Sequence, residues 1–309
     1  MRSEGRATGD QRRVDGLILL DKPGGLTSTA ALQIVRRLYR ARKAGHGGTL
    51  DPLATGLLPI CLGEAAKWLG FLLAADKSYR FTCRLGVTTT TGDAEGAVVR
   101  TRPVGELAPA EVADVLQRFV GEIRQIPPMY SALKQGGQRL YRLARQGVEV
   151  ERPPRQVQVR RLWLLSLAGD RLTCEVQCSK GFYVRVLAED LGEALGCGAH
   201  IVALRRTGVA PYEAAHMVTL QTLEERAQQG VAALDALLRP MDTALATWPA
   251  VHLGDDAACR VAMGQAVRAP QAPTQGWVRL YEQRRERFLG IGEILADGRV
   301  APRRLVTSG

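Results

Sequence analysis

The stretch from Val14 to Leu20 is largely apolar and closes on Asp21-Lys22-Pro23-Gly24-Gly25, the pattern of a buried strand ending in a turn. Thr27 or Ser28 then caps a helix. Ala31, Ile34, Val35 and Leu38 recur at helical spacing, while Gln33, Arg36, Arg37 and Arg40 take the opposite face, left to solvent or phosphate. Tyr79 to Leu85 alternates apolar and polar residues, and Leu172, Cys174, Val176 and Cys178 alternate with Thr173, Glu175 and Gln177. Both are half-buried strands. Val184, Leu187, Ala188 and Leu191 mark another helix, on which Arg185 and Glu189 stand one turn apart as an i,i+4 pair. Strands interspersed with helices, without regular β-α-β spacing, predict an α+β domain with a mixed, largely antiparallel sheet. Arg239 to Pro249 carries two prolines and no amphipathic period, which predicts a domain boundary. A small domain follows, with strand-like runs at Gly276 to Tyr281 and Phe288 to Leu295.

Composition adds a partner class. The chain has 309 residues, 46% of them hydrophobic, enough for one large core and a small second one. Its net charge is +11, which favours a polyanion: RNA, DNA, a ribosomal surface or an anionic membrane. The charge is concentrated between Gly121 and Arg161, where nine basic residues face three acidic ones and Tyr130 and Tyr141 are interleaved. That is the pattern of an RNA-contacting insertion or of a basic surface hairpin.

Residues 1–13 read as a basic flexible tail without the apolar core of a signal peptide, and no apolar run approaches the roughly 20 residues of a membrane span. A cytoplasmic protein is expected. The six cysteines form no C-x-x-C pair and the four histidines lack ligand spacing, so free buried thiols and no metal site are expected.

Candidate chemistry lies in Gly45-His46-Gly47-Gly48-Thr49-Leu50-Asp51-Pro52-Leu53-Ala54-Thr55-Gly56. The proline biases Asp51 toward extended geometry, and four glycines let backbone approach a flat ligand closely. Asp-Pro is compatible with a reactive carboxylate on a turn or with a helix N-cap followed by proline. The segment continues through Leu57 to Lys67. Further segments are Leu19-Leu20-Asp21-Lys22-Pro23, Asp76-Lys77-Ser78-Tyr79, Met129-Tyr130-Ser131-Ala132-Leu133-Lys134, Cys178 to Arg185, and Gly196 to His200 leading to Leu204-Arg205-Arg206. Together these six ordered motifs resemble the TruB family of pseudouridine synthases, whose bacterial members modify uridine 55 in the T-loop of tRNA. The resemblance covers nearly the whole chain.

The resemblance implies a pseudouridine-synthase-like catalytic domain over 14–248, a thumb insertion at about 124–155 that enters the T-arm, and a PUA-like RNA-binding β-barrel over 249–309. It also implies a monomer that needs no cofactor and no obligate protein partner. Asp51 takes the catalytic position, adding to ribose C1′, adding to C6 of the base, or promoting a glycal. A carboxylate in a closed pocket needs a cation to stay ionised, and Arg185 is the candidate. Tyr79 resembles the tyrosine that stacks on the target uracil and handles the C5 proton. Tyr183, Leu204, Lys22 and His46 take substrate-binding places, as do Tyr130 and Lys134 on the thumb. Two positions depart from the family pattern: Gly47 stands where a threonine is usual, and Thr90 where an acid is usual. The alternatives are a guide-RNA-dependent synthase subunit acting on ribosomal RNA and a non-catalytic RNA-binding or tRNA-folding protein.

Overall fold

The computed structural model describes residues 11–307. Most of the expected tail over residues 1–13 therefore lies outside the described residues. Its end is pinned, because Arg12 donates to the Asp235 carboxylate at 2.6 Å and its backbone N–H donates to the Arg40 carbonyl at 3.0 Å.

β1 (Gly16–Lys22), α1 (Ser28–Leu38), β2 (Ala44–His46) and β3 (Thr55–Leu62) come first, and α2 (Leu69–Ala74) leads into β4 (Lys77–Leu85). A side hairpin, β5 (Val87–Thr89) with β6 (Val98–Thr101), precedes α3 (Pro109–Gln117) and β7 (Gly121–Gln125). Then comes a small hairpin, β8 (Lys134–Gln135) with β9 (Gln138–Arg139), and the short α4 (Leu140–Arg145). β10 (Arg155–Ala168), β11 (Arg171–Cys178), α5 (Val184–Ala194) and β12 (Ala199–Val209) follow. β13 (Tyr212–Glu213), β14 (Val218–Thr219), α6 (Leu220–Gln229) and α7 (Val231–Asp235) complete the larger unit.

Ten of these strands form one sheet in the order β14-β1-β3-β12-β4-β11-β10-β7, with β2 added to β3 and β13 to β12. β1 runs parallel to β14 and β3 parallel to β12, while β1–β3, β12–β4, β4–β11, β11–β10 and β10–β7 are antiparallel. The sheet is mixed and largely antiparallel, as the alternating patterns predict.

The hydrophobic patterns follow from which faces are covered. At the β1–β3 end both faces are buried: Ile18, Leu20, Leu58 and Ile60 join the main core with α1, while Leu17, Leu19, Leu57 and Cys61 pack with Trp68, Leu72 and Ile291 on the other side. A continuous apolar run is the consequence. β4 and β11 are covered on one face only, so Phe81, Cys83, Cys174 and Val176 are buried while Arg80 and Arg84 stand exposed. On that open face the arginines are charge-matched: Arg80 with Glu175, Arg84 with Asp170, Arg160 with Asp76 and Arg205 with Asp21.

The C-terminal unit contains β15 (Ala250–Leu253), α8 (Asp255–Ala262), β16 (Gly276–Glu282), β17 (Arg287–Ile294) and β18 (Val300–Leu305). Its strands form a four-stranded sheet in chain order, extended by a bridge between Val267 and Val300, over a separate small core. Where a small β-barrel is expected, the chain forms a small C-terminal β domain with α8 against it, whose ladder runs from β15 at one edge to β18 at the other. The unit docks on the larger one through Trp68 against Phe288, with ring centroids 5.7 Å apart, and through the Lys67 ammonium donating to the Leu305 carbonyl at 2.8 Å. Among the described residues no helix is long and apolar enough to cross a membrane.

Candidate active site

Asp51 lies on the turn between β2 and β3. No helix follows Pro52; β3 does, which removes the helix-cap reading. The turn is fixed from several sides. The Ser28 hydroxyl accepts from the Leu50 N–H at 2.8 Å and donates to the Leu50 carbonyl at 3.0 Å. The Pro52 carbonyl accepts from the Gly25 N–H at 2.9 Å and the Lys22 ammonium at 3.3 Å. Glycine at 56, with φ +97°, has a steric cause: a Cβ there would lie 2.3 Å from the Arg206 carbonyl oxygen, so only glycine lets β3 run beside β12.

Arg185 reaches the turn from the first helical turn of α5. The start of that helix is set by buried Gln125, whose amide oxygen accepts from the Tyr183 N–H at 2.9 Å and whose amide nitrogen donates to the Tyr183 carbonyl at 3.1 Å. The Arg185 side chain, 6% exposed, places Nε 3.1 Å from the Asp51 carboxylate and 3.7 Å from that of Asp93. Its two terminal nitrogens donate to the carbonyls of Thr91 at 2.9 Å and Tyr130 at 2.7 Å. The ion-pair partners are therefore Asp51, as expected, and Asp93, in place of the alternative i,i+4 pair with Glu189. Burial pushes the Asp51 carboxyl above its ordinary range; Arg185 and Lys22 oppose the rise and Asp93 reinforces it. The Asp51 side chain nonetheless keeps 35% of its surface open, so a group entering the pocket can reach it.

Two cavities meet at Asp51, of about 690 and 340 Å³, and both are also lined by Thr49, Leu50, Ser131, Ala132 and Arg185. The larger one runs under the thumb, past His46, Asp93, Tyr130, Arg139, Tyr141 and Arg145. The smaller is lined by Tyr79, Phe182, Tyr183, Leu204 and Arg206, apolar and aromatic walls of the kind that take a planar base. Burial raises the Tyr79 and Tyr183 phenols above their usual range. It lowers the His46 imidazole, with the Arg206 charge acting in the same direction, and His46 walls the larger cavity.

Two expected site residues lie outside both cavities. Lys22 has no exposed surface, and its ammonium donates to the carbonyls of Pro23 at 2.8 Å, Leu26 at 2.7 Å and Pro52 at 3.3 Å. It braces the Asp51 turn instead of meeting substrate, and burial draws its pKa down to about 8. Lys134 is exposed on β8 and lines neither cavity. Sequence reasoning missed Asp93, Gln125 and Arg206. Thr90 is not the acid of the family pattern, and the acid at Arg185 is Asp93, three residues on. The tight turn signalled by Thr91-Gly92-Asp93 is the feature that could have marked it. Gly47, the other departure, leaves room for Leu72: a Cβ at 47 would meet the Leu72 Cβ at 3.0 Å.

Fold and site together define the pseudouridine synthase class. The chain aligns with the profiles described as TruB family pseudouridylate synthase (N terminal domain) at residues 36–184, tRNA pseudouridylate synthase B C-terminal domain at 185–246, and Pseudouridine synthase II TruB, C-terminal, at 249–306. It is 58% identical over 295 residues to the tRNA pseudouridine synthase B of Nitrosococcus oceani, covering 96% of each chain. It is 56% identical over 300 residues to that of Ectopseudomonas mendocina, covering 97% of each. Among solved structures, the Cbf5-Nop10-Gar1 complex contains a chain with a TM-score of 0.72 and 26% identity, covering 94% of this chain and 84% of that one. The protein belongs to the TruB family of pseudouridine synthases.

Proposed function

We propose that the protein converts uridine 55 in the T-loop of tRNA to pseudouridine, with Asp51 as the reacting carboxylate. The reaction breaks the bond between ribose C1′ and uracil N1, turns the freed base and rejoins it through C5. The C5 proton leaves, N1 gains one, and no electrons are lost or gained. A single observation carries the reading: Asp51, paired with a buried guanidinium, stands where an aromatic cavity of about 340 Å³ opens into the groove under a basic thumb.

The target uracil leaves its stack and enters the smaller cavity against Tyr79, Tyr183 and Leu204, with stacking worth about 1–3 kcal/mol offsetting the loss of its RNA neighbours. Its ribose then faces Asp51. Addition to C1′, addition to C6 and glycal formation all begin from an ionised carboxylate, which Arg185 favours. Tyr130 and Lys134 on the thumb reach the T-arm, and the C-terminal unit supplies a second RNA contact. The thumb favours a stand-alone enzyme over a guide-RNA-dependent one.

The test is tritium release from C5-labelled uridine in an unmodified tRNA transcript, without guide RNA. Wild type is expected to release label, and Asp51→Asn to release it on the order of 10⁴-fold more slowly or worse. Binding of tRNA should survive the substitution, because phosphate contacts lie outside Asp51. Silence from both proteins while tRNA stays bound would favour an RNA-folding role.

A further inference from the structure

Arg206 is among the largest fully buried side chains of the molecule, 1% exposed, and among the ion pairs of the described residues it has no carboxylate partner. A buried cation without an acid is costly to maintain, so its placement calls for a reason. Its Nε donates to the Leu57 carbonyl at 2.7 Å and Nη2 to the Gly48 carbonyl at 3.1 Å, tying β3 to the loop that precedes Asp51. Those two bonds would be served as well by neutral donors. What they do not use is the charge.

That charge faces Tyr79. Residue 206 is the direct cross-strand partner of residue 79 in the β12–β4 ladder, and both side chains line the smaller cavity. The groups around the Tyr79 hydroxyl come from three further elements: Arg206 from β12, Cys178 from β11 and Asp51 from the turn. Burial, the largest influence, raises the Tyr79 phenol, and of these neighbours only Arg206 opposes the rise, so reaching the phenolate depends on it. Lys77 also lines the cavity, but its ammonium donates to the carbonyls of Leu72, Leu73 and Ala75.

Resting on the function proposed above, we infer that Arg206 is a positioning residue that makes Tyr79 a competent acceptor of the C5 proton. After the base rejoins through C5, the C5–H bond must break. Tyr79, as phenolate, takes the proton; the C–H electron pair becomes the C5=C6 double bond, the former C6=N1 pair moves to N1, and N1 takes a proton from water. The Arg206 charge stabilises the phenolate that begins this step and holds its oxygen over the base.

The experiment compares wild type, Arg206→Gln and Arg206→Lys in single turnover with saturating tRNA transcript, carrying uridine protonated or deuterated at C5, across the alkaline pH range. A cation favours phenolate, so its loss raises the Tyr79 pKa and moves the rise of rate with pH to higher pH. Arg206→Gln is expected to slow turnover by about 10²-fold, enlarge the C5 isotope effect and leave tRNA affinity unchanged. Arg206→Lys should restore part of the rate, and 3-fluorotyrosine at position 79, a more acidic phenol, should restore more. If Arg206→Gln does not fold, the Arg206→Lys pair with and without fluorotyrosine decides the question. A variant with lower melting temperature or weaker tRNA binding, but an unchanged pH profile and isotope effect, would reduce Arg206 to a strand tie and overturn the inference. Wild type failing to form pseudouridine would instead overturn the function on which it rests.

Discussion

Arg185 joins Asp51, Asp93, Thr91 and Tyr130 through one guanidinium, so the Asp51 turn, α5 and the basic insertion share a single charged hub. Asp93 adds a like charge that holds the Asp51 carboxyl up. Replacing it removes that repulsion, so the acid limb of the single-turnover rate in Asp93→Asn should move to lower pH than in wild type, while the rate itself falls because Arg185 loses an anchor. A pH titration of single-turnover rates checks the sign. Glu189, one turn beyond Arg185, is pushed up by burial to about 7, against an ordinary 4.5. Between those values the folded protein holds a proton that the unfolded chain releases, so this stabilisation is present below pH 4.5 and lost as pH rises through 7. Glu189→Gln cannot lose that proton. Its melting temperature should exceed that of wild type above pH 7 and converge with it on acidification.

At the scale of elements, the site depends on close approach. Gly56 sits where β3 meets β12, with the Arg206 backbone in the space a methyl group would need. Gly56→Ala should destabilise the fold by about 1–3 kcal/mol, measured by denaturant unfolding, and lower turnover by displacing both Arg206 and the Asp51 turn. Element types were legible from the chain. The alternation of Tyr79 to Leu85 became β4, the helical spacing of Val184 to Leu191 became α5, and the Thr27 side chain caps α1. What escaped was pairing. Arg205 and Arg206 are adjacent in sequence, yet a strand sends successive side chains to opposite faces: Arg205 pairs with Asp21 on the open face and Arg206 faces Tyr79 within. Only the register decides which arginine is which.

Across the whole molecule, the +11 charge is unevenly available. Arginines on the open face of the sheet are matched by carboxylates, whereas Lys134, Arg139, Arg142 and Arg145 on the thumb are exposed and form no ion pairs among the described residues. Replacing these four by glutamine should flatten the slope of log affinity against log salt for tRNA by about 0.7–0.9 for each phosphate that is no longer neutralised. The same four changes on the charge-matched face should move it far less. The sequence by itself determined the α+β class, the basic insertion and the carboxylate on a glycine-rich turn, because these rest on local periodicity, composition and contiguous motifs. Tertiary structure alone decided that Asp93 and Arg206 belong to the site, that Lys22 braces a turn, and that Gln125 starts α5. Each of these depends on residues far apart in the chain meeting where sheet register and burial bring them, and no local pattern encodes that meeting.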